Sequence, residues 1–285
     1  MAATKGPAVL GIGNACLDTV ITVPRLPRPG DHVPGLERHQ FAGGQGAGAM
    51  AGCARLGLQA RFMLRSGDDP AAAAIWAALL AAGVDLRLWR RCAALPTPSA
   101  LILRERTGER MVFWSNDPRL EVEADAITEA IFEGVAALYL DGRDGPASLR
   151  AAALARARGL PVVADLDWVY PHTPALIDMI DHVIVPASFP ALQPRTGQTV
   201  VVTRGESGAE AEVAGQPRMQ VPGFAVTAVD STGAGDAFHA AYIYALLQGC
   251  PLRPRLEFAN AAGALACTRL GAHEALPDCA AINQL

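Results

Sequence analysis

Short apolar, β-branched runs alternate with alanine-rich stretches over nearly the whole chain. Residues 8–12, 137–140, 161–164, 182–185 and 199–202 have the unbroken apolar character of strands buried on both faces. Between them, residues 49–56, 71–82, 146–158, 174–180 and 234–247 read as helices covering a sheet. This order predicts an α/β fold, a three-layer sandwich whose central sheet is mostly parallel.

Two stretches break the rhythm. Residues 19–41 contain four prolines and alternate polar with apolar positions, and residues 98–116 alternate in the same way around the turn signal Thr107-Gly108. Each reads as a half-exposed antiparallel ribbon set apart from the main sheet, together a small β-sheet lid. No repeat or low-complexity linker divides the chain, so residues 1–285 form one expected domain with lid segments 19–41 and 98–116.

Composition narrows the class. With 51% hydrophobic and 18% charged residues, the chain buries far more apolar surface than a disordered one could. A net charge of −4 without a run of Lys or Arg points away from nucleic acid. No apolar stretch approaches the roughly 20 residues that span a bilayer, and the first residues lack a secretory pattern, so a cytoplasmic protein is expected. Six cysteines without a CxxC pair read as reduced, and six scattered histidines lack the spacing of a zinc helix.

Candidate chemistry concentrates in Asp230-Ser231-Thr232-Gly233-Ala234-Gly235-Asp236. Two glycines flanking a small residue, directly before a helix, leave backbone amides free and aimed along the helix axis at its positive end, an anion cradle. A carboxylate in the first helical turn beside a held phosphate is costly unless it takes a proton, and a substrate hydroxyl would supply one. A dinucleotide fingerprint opens at Gly11-x-Gly13 but lacks its third glycine, and no Walker P-loop occurs.

The string DSTGAGDAFHAA is similar to the C-terminal signature of the ribokinase-like (phosphofructokinase-B) carbohydrate kinases. Gly43-Gly44-Gln45-Gly46-Ala47 with Ala54-Arg55-Leu56-Gly57 resembles that family's N-terminal signature, and Thr203-Arg204-Gly205-Glu206-Ser207-Gly208 resembles its nucleotide loop. The resemblance implies ATP as phosphoryl donor, Mg2+ and a sugar substrate, and leaves monovalent-cation activation open; the exposed ribbon edges of the lid predict a homodimer formed through it. It assigns Asp236 as the base and Gly233, Ala234 and Gly235 as the amides on the transferring phosphate, with Arg110 as a lid arginine able to reach it. Asn14, Asp18, Gly43, Gly44, Gln45 and Arg143 would meet the sugar, and Thr203, Gly205, Gly208, Asn260 and Gly263 would surround ATP.

Three departures matter. The usual polar residue after the diglycine is Gln45, and Gly48 stands where an Asn is common, which is expected to leave room at the sugar. After the strand ending at Val185 the chain reads Pro186-Ala187-Ser188-Phe189-Pro190 instead of Asn-x-x-Glu, leaving Asp165 and Asp167 as carboxylates for magnesium. Pro98 to Leu103, Leu140-Asp141-Gly142-Arg143-Asp144 and Cys267-Thr268-Arg269 look like the ketohexokinase and sulfofructose kinase branch, which implies a ketose or an anionic ketose derivative. A nucleoside or deoxy-keto-sugar-acid kinase and a non-catalytic sugar-sensing relative remain open alternatives.

Overall fold

A computed structural model describes residues 6–106 and 109–285; the Thr107-Gly108 turn lies outside the described residues. The central sheet contains β1 (Ala8–Ile12), β4 (Gln59–Gly67), β5 (Trp89–Cys92), β8 (Val135–Leu140), β9 (Val162–Asp165), β10 (His182–Pro186), β11 (Thr199–Thr203), β12 (Ala209–Val213) and β13 (Met219–Val221). Its order is β13-β12-β11-β10-β9-β8-β1-β4-β5. Only β12 and β13 run antiparallel to their neighbours.

Alternation along the strands builds two cores. Val9, Phe62, Tyr139 and Val163 face one helical layer, whereas Leu10, Met63, Leu138 and Val162 face the other. The first layer holds α1 (Gln45–Arg55), α2 (Pro70–Ala81), α5 (Ala234–Leu247) and α6 (Leu252–Ala266); the second holds α3 (Gly145–Ala157) and α4 (Thr173–Ile177). A short α7 (Cys279–Ile282) closes the chain. Fully buried side chains such as Phe62, Leu10 and Leu138 each contribute about 1.5–3 kcal/mol of hydrophobic stabilisation.

Both atypical ribbons enter one small sheet. It comprises β2 (Cys16–Val23), β3 (Glu37–Gly43), β6 (Ser99–Glu105) and β7 (Arg110–Ser115) in the order β3-β2-β6-β7. The two hairpins are antiparallel as expected, but β2 and β6 join them in parallel, so the sheet is mixed.

Three differences from the sequence reading have physical causes. Strand β4 escapes a search for apolar runs because Arg61 and Arg65 interrupt it; their guanidiniums bond Glu133 O and Glu121 O at 2.7 and 2.9 Å. Helix α1 begins at Gln45, four residues before the predicted start, although glycine is a poor helix former. Gly48 and Gly52 lie where α5 packs closest, and an added Cβ there would strike Asp236 and Ala240. Tertiary contact therefore outweighs propensity. Helix α4 is five residues long, shorter than the predicted span.

Candidate active site

Strand order reverses at β1, with β4 on one side and β8 on the other. In an open α/β sheet such a switch point leaves a crevice at the carboxyl ends of the strands. Asn14 follows β1 and Asp141 follows β8, and the crevice is tied between them: Asn14 N donates to Asp141 Oδ2 at 2.5 Å and Arg143 N to Asp141 Oδ1 at 3.1 Å. Asp141 carries no sugar or ATP assignment from sequence; the Leu140–Asp144 block was the only signal that could have found it.

Asp18, on β2, is 8% exposed and accepts the Cys16 thiol hydrogen at 3.0 Å. The small sheet brings it there, with Gly43 of the paired strand directly against its carboxylate. Gly44 caps α1 at φ 97°, and the next residue, Gln45, donates Nε2 to Asp165 Oδ2 at 3.3 Å. Tyr139 OH donates to the same oxygen at 3.5 Å, while His239 Nε2 stands 3.4 Å from Asp165 Oδ1. Burial pulls the His239 pKa down to about 4, leaving the ring neutral near pH 7. Asp165 therefore has protein partners of its own, while Asp167, two residues beyond the end of β9, is exposed.

The cradle lies opposite. Gly233 takes φ 79° ahead of α5, and a Cβ on it would stand 2.9 Å from the Ala272 backbone, so only glycine fits this turn. Asp230 braces the approach by accepting Thr232 N, Thr232 Oγ1 and Gly271 N at 3.1, 2.8 and 3.3 Å. Beyond Gly233 and Ala234, Gly235 has open space where a side chain would be. Asp236 occupies the first turn of α5.

Five carboxylates therefore converge on one crevice. The Asp236 carboxyl is pushed well above the usual range, first by burial and then by the charges of Asp165, Asp167, Asp18 and Asp141. Burial and the Asp141 charge raise Asp165 to about 7. Burial also lifts Asp18, and burial together with Asp165 lifts Asp167. Such a group binds protons readily and welcomes cations.

Gly48 corrects the sequence reading. The space expected from its missing side chain is filled by the Asp236 carboxylate, which packs against the Gly48 Cα. A different opening lies nearby: a cavity of about 190 Å3 lined by Asn14, Trp114, Asn116, Arg143, Asp144 and Tyr170. The Arg143 guanidinium lies 5.6 Å from the Trp114 ring centroid and its buried Nε has no partner.

The residues assigned to ATP lie on β11, the turn after it and α6, whose Gly263 meets the first residue of α5. Thr203 ends β11 and donates Oγ1 to Val185 O at 3.4 Å; Gly205 and Gly208 shape the next turn, where Arg204 N donates to Gly208 O at 2.8 Å. Asn260 Nδ2 holds Val221 O and Pro222 O at 3.1 and 3.0 Å, so its side chain anchors the loop after β13. Gly263 of α6 lies against Ala234 O. Arg110 is exposed on the outer strand β7 and makes no ion pair among the described residues.

Comparison with known proteins places the chain in a family. The model of the pfkB family carbohydrate kinase matches residues 8–188 and 184–279. A Klebsiella pneumoniae fructokinase is 31% identical over 277 residues, covering 84% of this chain and 89% of that protein. Bacillus subtilis ribokinase is 27% identical over 289 residues, covering 96% and 97%. Among solved structures, Arabidopsis thaliana ribokinase complexed with ribose and ATP superposes with a TM-score of 0.84 at 24% identity, covering 98% of each chain, a likeness that speaks for the fold. With the family model matched from the first strand to the last helix, and a sugar kinase sharing almost a third of its residues, the chain belongs to the pfkB family of carbohydrate kinases.

Proposed function

We propose that this protein transfers the γ-phosphate of ATP to a hydroxyl of a ketose or ketose derivative. The observation that carries the reading is Asp236, a proton-avid carboxylate in the first turn of a helix whose preceding amides are open to an anion. Asp18 orients adjacent hydroxyls of the sugar, Asp236 takes the proton of the attacking one, and the Gly233–Gly235 amides bear the charge gathering on the transferring phosphate.

Magnesium fits this arrangement. Among the described residues no three His, Cys, Asp or Glu side chains form a cation site, but Mg2+ commonly keeps its waters and takes one or two carboxylates plus phosphate oxygens. Asp167, with Asp165 behind it, would hold it against ATP, where it would neutralise phosphate charge. ATP consumption across ketoses, sulfoketoses, aldoses and nucleosides tests the substrate class; turnover confined to nucleosides or aldoses would overturn it.

The cavity beside Arg143 favours a sugar bearing an anionic group. Its guanidinium has an unused buried donor facing an aromatic wall, and a charge-assisted contact there is worth about 1.5–3 kcal/mol. Arg143→Ala is expected to lower kcat/KM on the sulfonated analogue of fructose by roughly ten- to a hundredfold and leave fructose nearly unchanged. Equal losses on both would assign Arg143 to ATP or to its own loop.

The small sheet also suggests a second copy of the chain as partner. Leu101 and Phe113 are cross-strand neighbours on the face turned away from Asp18, 38% and 53% exposed, and uncovered apolar ribbons are liabilities. Sedimentation is expected to show a dimer at micromolar concentration. A monomer at every concentration would refute the pairing.

A further inference from the structure

The Asp18 face of the small sheet ends in two like charges. Ala100 lies opposite Asp18 on β6 and opposite Trp114 on β7; two residues on, Ile102 faces Val112, and two further, Arg104 stands directly across from Arg110. Cross-strand partners of an antiparallel ladder project to the same side, and like charges so placed repel. Among the described residues neither arginine has a carboxylate within ion-pair range. The Arg104 Nε is buried without an acceptor, an arrangement that costs stability while it lasts.

The direction of Arg104 supplies the reason. Its Nη1 reaches Val229 O, 3.5 Å away, the carbonyl just before Asp230, and Asp230 braces the turn into the Gly233–Asp236 cradle. The small sheet thus touches the phosphate loop through a guanidinium whose other donors are unspent. Resting on the kinase reading above, we propose that Arg104 is a phosphate-binding residue: with Arg110 it forms a two-arginine clamp that takes the polyphosphate of the nucleotide from the side opposite the cradle. A polyphosphate offers several acceptor oxygens and removes both penalties at once, the repulsion and the orphaned Nε.

Two readouts test this. Arg104→Gln is expected to raise the KM for ATP by about ten- to a hundredfold with the sugar KM unchanged. Arg104→Lys should recover only a small part of that, because a point charge does not replace a planar fork. Calorimetry with inorganic tripolyphosphate should show the Arg104→Gln protein binding about tenfold or more weakly than the wild type, a measurement independent of the sugar. Equal tripolyphosphate affinity in the two proteins overturns the clamp, as does a variant whose sugar KM changes while its ATP KM does not. If the wild type phosphorylates no ketose, the substrate reading falls, and the tripolyphosphate comparison still decides the role of Arg104.

Discussion

Asp236→Asn is expected to lower kcat by about 10²- to 10⁴-fold, the usual range for a positioned general base, with ATP affinity nearly unchanged. The amide preserves the shape of the first turn of α5 and the adjacent cradle but cannot accept the proton of the sugar hydroxyl. A second signature belongs to the wild type. Because burial and the charges of Asp165, Asp167, Asp18 and Asp141 hold the Asp236 pKa above the ordinary carboxylate range, its active, deprotonated form gains population as pH rises. The acid limb of kcat should accordingly lie above that of a free aspartate, and the residual activity of Asp236→Asn should lose that limb. Near-normal turnover in the purified variant would remove Asp236 from the chemistry.

Gly48→Ala should be nearly as damaging, although Gly48 lies 188 residues from the catalytic motif by position number. A Cβ at this point in α1 would stand 2.7 Å from the Asp236 Cβ and closer still to its carboxyl group. Either α1 and α5 move apart or the carboxyl turns away. Misplacing a reacting group by about 1 Å can cost roughly 10²-fold, and overpacking a helix interface costs about 1–3 kcal/mol. The expected outcome is a kcat lowered by about 10²-fold with ATP binding retained and a reduced melting temperature. Gly52→Ala is the control, since its Cβ would meet Ala240 at 2.5 Å but lies 3.9 Å from the nearest Asp236 atom. It should lose stability while keeping most of its turnover. A Gly48→Ala enzyme with wild-type kcat would show that the carboxylate does not depend on that contact.

These two residues mark the limits of what the chain discloses. The turn that carries Asp236 was legible because its elements are local: a glycine that alone tolerates φ 79°, a helix start and a carboxylate in the first turn. Strands β1, β8, β9, β10 and β11 were legible for a similar reason, being apolar runs buried on both faces. Helix α5 begins and ends where the sequence predicts, at Ala234 and Leu247.

Gly48 was misread because its meaning lies in another helix. From sequence, a glycine in place of a polar residue signals vacant room; in the fold the room belongs to Asp236. The partners of Asp165 were equally beyond the sequence: Gln45 and Tyr139 converge on it from α1 and β8. The arginines divide similarly: the TGER turn drew attention to Arg110, whereas pairing between β6 and β7 places Arg104 beside it and against Val229. The sequence by itself determined the α/β class, five of the parallel strands and the glycine turn ahead of α5, since period and turn chemistry act over a few residues. Only the tertiary structure decided which carboxylates face one another, which glycine packs against Asp236 and which arginine meets Val229, because burial and Coulomb interaction depend on distance in space and not on separation along the chain.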